Sequence, residues 1–457
     1  MKGQNTYADA GVNIELGDDA SKVLYNAARQ TWDNRNGKLG ELVVPFDDFS
    51  GVRAIDVSGL PKRTLMNIGF DGVGTKMELA ERVGNHKTIA YDLFAMVCDD
   101  AVVRGAEPVL IGSILDVNSL GSGEDTYVDH VRQLAEGYID AAREANVAIV
   151  NGEVAELGDR VGGYGSNSFA SMLAHQYIST NMNKENWGSM KKVSEWIVES
   201  DPDKQDDLRR YMRKDELHFV TRLKNIRTLN YNWGAAVVWF ANGDRLFTGK
   251  EIKRGDYLVG LREGGFRSNG LSLVRKIMEK HHGADWHKVP WKVGNETLAG
   301  LALTPSRIYT GAVVDMFGGH QSGPRVEVHG IAHITGGGIP GKLGRMLKPS
   351  GLGAVIDDSF KPSDFVGYVQ GLGNVSDEEA YKTWNMGQGM IIATPNPVDV
   401  ISIANEYGIE AKNIGYVIKG PDIRIKNKGT FNPFDNPDFV DSALGRKGPE
   451  ELVFPIG

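Results

Sequence analysis

One passage near the amino terminus, residues 64–84, constrains the fold more than any other stretch of the chain. It begins with the apolar run TLMNIGF, Thr64 to Phe70, which predicts a β-strand. It ends with KMELAERVG, Lys76 to Gly84, which predicts a helix terminated by glycine. The loop between them holds Asp71 and two glycines. A strand that runs through a glycine loop into a helix indicates an α/β fold whose loop comes close to a ligand.

Glycine is enriched along the whole chain. It supplies 57 of the 457 residues, compared with an average of about 7% in globular proteins, and no collagen-like period accounts for the excess. Glycine tolerates positive φ and lets the backbone approach a ligand closely. Hydrophobic residues make up 41% and charged residues 24%, so the chain is apolar enough and long enough to build a substantial core.

Charge and cysteine content limit the classes of function. Lys and Arg total 51 against 59 Asp and Glu, a net charge of −8, and no basic tract is present, so nucleic acid is not expected as a partner. Cys98 is the only cysteine, which excludes an intrachain disulfide and a thiolate metal cluster. The amino terminus lacks the apolar segment of a signal peptide, and no apolar run approaches the ~18 residues of a membrane span. We therefore expect a reducing, cytoplasmic location and no membrane partner.

Further elements follow the first passage. Helices are predicted at residues 87–105 and 129–146, and a strand at 147–150 leads into a second glycine loop, which carries Glu153. From Asn181 to Asn232 the sequence becomes charged and poor in glycine, which indicates a helical insertion.

These patterns divide the chain into three predicted parts. The strand-like run WGAAVVWF, residues 233–240, closes the first part, and a second α/β section begins near Lys250. We predict an amino-terminal domain at 1–248 with the insertion inside it, a carboxy-terminal α/β domain at 249–426, and an irregular tail at 427–457.

Acidic residues on the predicted elements suggest a metal site. On a helix, a step of seven residues ends about 20° short of two full turns, so Asp92 and Asp99 share a face, with Asp100 roughly 80° from Asp92. Asp71 and Glu153 add carboxylates from separate loops. Hard oxygen ligands of this kind suit Mg²⁺ that holds phosphates. The alternative is that each acid is a helix cap or a surface charge.

The stretch HITGGGIPGKL around Gly336 partly matches two phosphate-binding patterns. The dinucleotide fingerprint is disfavoured by Pro340, and the P-loop pattern lacks its final hydroxyl because Leu343 occupies that position. The pattern that remains is a row of free N–H groups at residues 335–338, opening towards a helix at 341–347, which would form an anion site.

Other candidate residues carry a weaker signal. His329 and His333 stand four apart on a strand-like pattern, which favours core or site-lining histidines over a zinc site. Ser268 could be the N-cap of a helix, with Arg267 beside it. Cys98 lies among apolar neighbours, so we expect a small buried side chain and not a nucleophile.

Eight further segments occur in order along the chain: DAGVNI, FDGVGTK, DLFAMVCDDAVVRGAEP, NGEVAE, SNGLSLVRKI, TPSRIY, HGIAHITGGG and GNVSDEEAYKTWNMGQGMII. Together they resemble the phosphoribosylformylglycinamidine cyclo-ligase family, also called aminoimidazole ribonucleotide synthetases. The resemblance covers most of residues 7–425 outside the insertion. It implies an α/β (α+β type) two-domain fold, a homodimer paired through the amino-terminal sheets, and ATP-dependent closure of an imidazole ring on a ribonucleotide substrate with Mg²⁺.

The resemblance also implies roles for individual residues. Catalytic roles fall to Asp71, Lys76 and His333. The nucleotide would be held by Gly72, Gly74, Thr75, Lys76 and Asp92. The substrate would be held by Arg267, Ser268, Asn269, Thr335, Gly336, Gly337 and Gly338. The Mg²⁺ ligands would be Asp71, Asp99, Asp100 and Glu153.

Three departures and several alternatives accompany this interpretation, and one departure is the insertion, which compact members of the family lack. The third family loop usually reads GGETAEMPG, whereas this chain has NGEVAELGD, and Arg267 stands where relatives often have histidine. Other ATP-dependent members of the same superfamily are alternatives, such as formylglycinamidine ribonucleotide synthetase or a small-molecule kinase. A noncatalytic nucleotide-binding regulator is the alternative from another class.

Overall fold

The computed structural model describes residues 14–43, 53–122, 125–166, 170, 172–174, 212–223, 228–291, 295–428 and 449–457. Within these ranges the chain forms a four-stranded sheet, a seven-stranded sheet and a two-stranded ribbon. One buried hydrophobic cluster is continuous between the two larger sheets, from Val73 and Phe94 at the first to Trp384 at the second. The two sheets are therefore joined by a shared core.

Strands β1 to β6 belong to the amino-terminal half of the chain. They are β1 (Thr64–Gly72), β2 (Ala106–Val117), β3 (Gly121–Ser122), β4 (Asp125–Thr126), β5 (Ala148–Glu156) and β6 (Tyr231–Asn242). The four-stranded sheet has the order β1-β6-β2-β5, and β3 pairs with β4 as the ribbon. Strand β6 is antiparallel to both of its neighbours, whereas β2 and β5 are parallel. The outer strands of this sheet are thus β1 and β5.

Helices cover one face of the four-stranded sheet. The helices of this half are α1 (Ile14–Arg29), α2 (Met77–Val83), α3 (Ile89–Val102), α4 (Val128–Ala145) and α5 (Lys214–Leu223). Helix α3 packs on β1, β2 and β6, and α1 and α4 pack on each other. Helix α3 is apolar on almost every side and is nearly wholly buried, as expected for a helix enclosed by other elements.

The other face of this sheet is open within the described part of the chain. Its large apolar side chains include Met66, Phe70 and Ile114, which are 62%, 74% and 55% exposed. Met66 and Phe70 lie on β1 and Ile114 lies on β2, and the strand between them, β6, places Ala236 opposite Phe70 and Gly234 opposite Ile114. A contiguous apolar face of this kind marks an interaction surface.

The predicted elements of the amino-terminal half are largely confirmed, with one correction. The strand at 64–70, the helices at 87–105 and 129–146 and the strand at 233–240 all form, with ends that differ by a few residues. The predicted glycine loop around Glu153 is wrong, because β5 continues through it to Glu156. Hydrogen bonding to β2 keeps these residues extended despite Gly152.

The predicted insertion at 181–232 lies mostly outside the described residues. Its described part contains helix α5 and the first two residues of β6, so the strand begins earlier than predicted. Arg222 of α5 forms an ion pair with Asp285, with Nη2 and Oδ1 2.6 Å apart. The described end of the insertion therefore contacts the carboxy-terminal half.

The seven-stranded sheet is built from the carboxy-terminal half. Its strands are β7 (Tyr257–Arg262), β8 (Gly330–His333), β9 (Leu352–Ile356), β10 (Gln388–Thr394), β11 (Ala411–Lys419), β12 (Asp422–Lys426) and β13 (Glu451–Pro455). They run in the order β13-β12-β9-β11-β7-β10-β8, and only the β12–β9 pair among them is parallel. All seven residues of β10 are buried, because the strand is covered on both faces.

Seven further helices surround this sheet within the described ranges. They are α6 (Leu271–His282), α7 (Leu298–Ala302), α8 (Thr310–Phe317), α9 (Gly338–Leu347), α10 (Asp364–Leu372), α11 (Asp377–Thr383) and α12 (Pro397–Glu406). The predicted irregular tail is wrong at its end, because residues 451–455 form β13 on the edge of the sheet. Alternation of the buried Leu452 and Phe454 with exposed neighbours explains this strand. No described helix is both long enough and apolar enough to cross a bilayer.

Candidate active site

Three loops meet between the two sheets. A Cβ placed on Gly74, after β1, would lie 3.9 Å from the carbonyl oxygen of Ser268, before α6. A Cβ on Gly336, before α9, would lie 3.3 Å from Oδ1 of Asn269. Gly74 has φ +73°, a value that glycine adopts without strain. The loops that the sequence assigned to nucleotide and to substrate therefore line one cleft.

The first of these loops begins within the sheet. Asp71 and Gly72 are the last residues of β1, and Thr75 lies in the short 3₁₀ turn Gly74–Lys76 that leads into α2. A Cβ on Gly72 would come within 3.3 Å of the Trp233 carbonyl on the neighbouring strand. Asp71 was predicted in a loop but ends a strand, and its Oδ1 accepts a hydrogen bond from the N–H of Gly72 at 2.8 Å.

The acids of α3 have two different environments. Asp92 and Asp99 share a face of the helix, as predicted, but this face is packed against the carboxy-terminal half and both side chains are fully buried. Asp100 lies outside that face, and its side chain is 55% exposed at the cleft. Cys98 is buried in the same helix, and burial raises the pKa of its thiol, in keeping with the expected inert side chain. Asp100 is thus the acid of α3 that is open to a ligand.

Lys76 and Asp92 form a buried ion pair. The Lys76 ammonium lies 2.7 Å from Asp92 Oδ1 and donates to the Thr304 carbonyl at 2.6 Å. Asp92 also accepts from the Ser306 hydroxyl, and burial raises its pKa against the opposing effect of Lys76. Neither side chain is exposed. In this conformation each is committed to the other and to the TPSRIY segment, so contact of Lys76 and Asp92 with the nucleotide stays a prediction.

Arg267 is also buried, and its two terminal nitrogens bond inside the protein, whereas its Nε has no hydrogen-bond partner among the described residues. Its guanidinium pairs with Glu263 at 2.7 Å and with Asp99 at 3.1 Å. Asp99 accepts further hydrogen bonds from the Thr310 hydroxyl at 2.8 Å and the Tyr309 N–H at 3.0 Å. In this conformation neither side chain faces the cleft, so Arg267 as a substrate-phosphate ligand and Asp99 as a metal ligand stay predictions. Burial of these charges is compensated by their mutual pairing.

His333 connects this buried network to the cleft. Its Nε2 lies 2.7 Å from Nη2 of Arg267, which can only donate, so Nε2 is the acceptor. The proton of the neutral ring is then on Nδ1, which donates to Asp100 Oδ1 at 2.6 Å. His329 instead contacts Asp256 and Glu327, away from this network. The two histidines therefore have separate partners and do not converge on one point.

Asp71, Asp100 and Lys342 share one electrostatic environment. Burial raises the pKa of Asp71, and the charge of Asp100 adds to this effect. Burial would also raise the pKa of Asp100, but the hydrogen bond from His333 and the nearby cations hold it below its usual range. Burial lowers the pKa of the Lys342 ammonium, while the two carboxylates oppose that shift. These charges converge at the mouth of the cleft.

The glycine loop before α9 differs in detail from the prediction. The N–H of Gly338 donates to the Thr335 carbonyl at 2.9 Å, so the predicted row of four free N–H groups is wrong at this position. A Cβ on Gly338 would collide with the Tyr381 carbonyl at 1.9 Å, so packing alone requires this glycine. The helix begins at Gly338 and runs through Pro340, which needs no N–H partner in the first turn. Pro340 therefore does not argue against a phosphate-binding helix start.

Ser268 was predicted to cap α6 but does not do so. The N-cap is Gly270, with φ +73°, and no side chain caps the helix. The Ser268 hydroxyl is instead buried without a hydrogen-bond partner among the described residues. Asn269, next to it, reaches the glycine loop at Gly336. An unpaired buried hydroxyl beside the cleft is suited to a ligand that supplies the missing partner.

Glu153 lies far from Asp71. It is on β5 and Asp71 is on β1, the two outer strands of the four-stranded sheet. Three interstrand spacings separate these strands, about 14 Å in all. Both residues border a groove of about 700 Å³ on the open face of the sheet. The prediction that they share one metal ion is therefore wrong within a single chain.

Four residues of this region were missed as individual site residues. Thr304 and Ser306 hold the Lys76–Asp92 pair, and Glu263 holds Arg267. The TPSRIY segment was noted only as a motif, and nothing local indicates the role of Glu263. The sequence did indicate a phosphate-binding role for Lys342, because this residue occupies the lysine position of the partial P-loop match.

Comparison with known proteins shows to which family the chain belongs. Residues 54–171 match the family model described as AIR synthase related protein, N-terminal domain, and residues 253–428 match the corresponding C-terminal domain. The phosphoribosylformylglycinamidine cyclo-ligase of Limosilactobacillus fermentum is 30% identical over 422 residues, covering 91% of this chain and 97% of that protein. The chain belongs to this cyclo-ligase family. The enzyme of the same name from Symbiobacterium thermophilum is 31% identical over 418 residues, 90% of this chain and 94% of that protein.

Membership of this family confirms the predicted two-domain α/β fold. Thiamine-monophosphate kinase from Stenotrophomonas maltophilia K279a superposes with a TM-score of 0.50 at 10% identity, over 87% of this chain and 95% of that structure. At this identity the likeness concerns the fold alone. The domain boundary near residue 248 stays a prediction, although each larger sheet takes its strands from only one side of it.

Proposed function

We propose that the protein is a carbon–nitrogen ligase of purine biosynthesis that converts formylglycinamidine ribonucleotide into aminoimidazole ribonucleotide with ATP. The observation that carries this proposal is the similarity of the chain to cyclo-ligases over almost their whole length. The aligned region includes 97% of the Limosilactobacillus fermentum enzyme. The cleft lined by Asp71, Asp100 and the Gly336 loop supports it, because carboxylates and glycine-rich backbone are the usual surroundings of a transferred phosphoryl group.

The reaction explains why the cleft needs no nucleophilic side chain. ATP phosphorylates the formyl oxygen, which turns a poor leaving group into a good one. The amidine nitrogen then attacks the formyl carbon, a carbon–nitrogen bond forms, and the carbon–oxygen bond to phosphate breaks. Because the attack occurs within one molecule, holding the two atoms together contributes up to about 7–11 kcal/mol. The protein's task is to position the substrate and to stabilise charge.

Asp71 and Asp100 are the residues that would hold Mg²⁺. Magnesium is commonly bound through one or two carboxylates together with substrate phosphates and water. The two acids lie near enough for the charge of Asp100 to raise the pKa of Asp71. When bound, the ion neutralises developing charge on the phosphoryl oxygens. Asp99 and Glu153 do not fit, since one is fully buried and the other lies on the far strand.

His333 is proposed to position Asp100. The Nδ1–H donates to the Asp100 carboxylate while Arg267 holds Nε2 in place, so the ring orients the acid from within the protein. Support of this kind from a histidine behind a ligand is common at metal and catalytic sites. On the substrate side we assign the loop at residues 335–337 together with Ser268, whose hydroxyl has no partner among the described residues, and Asn269, whose amide oxygen lies beside Gly336.

A homodimer formed through the open sheet face is part of this proposal. The exposed Met66, Phe70 and Ile114 form an apolar surface that a second copy would cover. The pairing is isologous if two-fold symmetry relates the copies. Cytoplasmic location stays a prediction from the sequence.

The decisive experiment is an assay for aminoimidazole with purified protein, ATP, Mg²⁺ and formylglycinamidine ribonucleotide. Asp71→Asn and Asp100→Asn should each lower kcat by about 100-fold or more while the fold is retained, since a charged ligand to the phosphoryl-bound cation is lost. Asp129→Asn, on the exposed side of α4, is the matched control and should leave kcat unchanged. Parental activity in both cleft variants would refute the assignment of the acids. ATP consumption with a phosphorylated product and no ring closure would favour a small-molecule kinase.

A further inference from the structure

Lys342 is placed where a ligand phosphate would meet it. It lies in the second turn of α9, directly behind the glycine loop. Side chains on a helix tilt towards its amino terminus, so this one extends towards the loop. The side chain is only partly exposed, and no hydrogen bond or ion pair joins its ammonium to any described residue. Its positive charge is therefore uncommitted.

Two carboxylates lie near enough to this ammonium to act on its pKa. Asp100 and Asp71 both interact with Lys342 electrostatically, and neither lies within 4.0 Å of its nitrogen as an ion pair. Neither acid forms an ion pair with this ammonium among the described residues, so a bound anion would not have to displace one. An anion bound jointly by a metal ion on the acids and by the lysine fits this arrangement.

Two other cations near the cleft, Lys76 and Arg267, are enclosed in the described conformation, whereas Arg345 is exposed on the same helix and acts electrostatically on Lys342. Lys76 is fully buried against Asp92 and the Thr304 carbonyl. Arg267 is fully buried against acids and His333. Of Lys76, Arg267 and Lys342, only Lys342 has a partly exposed charged group and no ion pair among the described residues.

We propose that Lys342 binds the phosphate oxygens of the ligand in this cleft, the role that the sequence pattern gave to Lys76. The inference rests on the proposed function for the identity of the ligand, which is a phosphate group of either ATP or the ribonucleotide. Lysine binds such a group as a point charge that needs no fixed fork geometry. The partial P-loop match in the sequence thus has a lysine in a phosphate-facing position, although the loop itself is different.

The test compares Lys342→Met and Lys342→Arg with the parent protein. Lys342→Met should weaken binding of one phosphate ligand by about 10- to 100-fold, the range for loss of a charged hydrogen bond, and Lys342→Arg should recover part of that loss. Calorimetric titration with Mg·ATP and with the ribonucleotide, together with kcat and KM for each, identifies the source of the phosphate. Weaker ATP binding assigns the lysine to the triphosphate, and weaker ribonucleotide binding assigns it to the substrate phosphate.

The controls separate this inference from the proposed function. Lys348→Met, six residues further along and exposed, should bind both ligands as the parent does. If the parent closes no ring but binds Mg·ATP, a loss of that binding in Lys342→Met still supports the lysine's role. Affinities of Lys342→Met within twofold of the parent for both ligands would overturn the inference. Equal losses in the Met and Arg variants with a lowered unfolding midpoint would also overturn it, since they indicate a structural role.

Discussion

Replacing Lys76 by methionine should destabilise the protein more than it impairs ligand contact. The variant removes one member of an ion pair in which both side chains are fully buried, with Nζ and Oδ1 2.7 Å apart. Asp92 would keep the Ser306 hydroxyl, but its Oδ2 already has no hydrogen-bond partner among the described residues. A buried carboxylate without its cation costs about 3–5 kcal/mol, a large part of the about 5–15 kcal/mol that stabilises a typical protein.

The size of this effect can be checked by a double-mutant cycle. Lys76→Met, Asp92→Leu and the double variant are compared in urea unfolding, followed by the fluorescence of the buried tryptophans Trp233, Trp286 and Trp384. The double variant should recover at least half of the loss, because an apolar pair of similar volume leaves no charge unpaired. Lys87→Met is the control, because its pair with Glu136 is exposed and should contribute about 0–1 kcal/mol.

One result would refute this reasoning. If Lys76→Met unfolds within about 1 kcal/mol of the parent but no longer binds Mg·ATP, the lysine must leave Asp92 and reach the phosphates when nucleotide is bound. The role predicted from the sequence would then be correct, and the buried pair would be a resting arrangement. A destabilised variant that still binds Mg·ATP at low temperature supports the structural role.

Two further predictions concern pH and assembly. Burial lowers the pKa of His86 to about 3 in the folded protein. Below about pH 6.5 the unfolded chain therefore takes up a proton at this residue that the folded protein does not. The stability of the fold falls as the pH decreases from about 6.5 towards 3. The glutamine of His86→Gln cannot titrate. Between pH 6.5 and pH 5 the free energy of unfolding of this variant should therefore fall by roughly 2 kcal/mol less than that of the parent, as measured by urea titration. An identical fall in both proteins would contradict this prediction. Phe70→Asp should convert the proposed dimer into monomer in sedimentation experiments, whereas Val398→Asp, at a residue equally exposed on α12, should not. A dimeric Phe70→Asp protein would move the interface elsewhere.

Local sequence determined most of the secondary structure and the position of the cleft. The strand at 64–70, the helix ending at Gly84 and the shared face of Asp92 and Asp99 follow from periodicity and glycine placement. These features depend on residues close together in the chain. The ordered motifs likewise indicated the family and the loops that meet at Gly74 and Gly336.

Only the tertiary structure decided which charges face a ligand. Lys76 bonds to Thr304 and Asp99 bonds to Thr310, and in each pair the two residues are about 200 positions apart in the chain. A local sequence pattern carries no information about such pairing. Glycine content predicted a loop around Glu153, but hydrogen bonds to β2 extend it as a strand at the far side of the sheet. The charge on a side chain is set by its type, but whether that charge meets a substrate is set by what packs against it. Burial makes an unpaired charge costly, so the fold pairs the enclosed charges with one another and leaves Asp71, Asp100 and Lys342 at the opening.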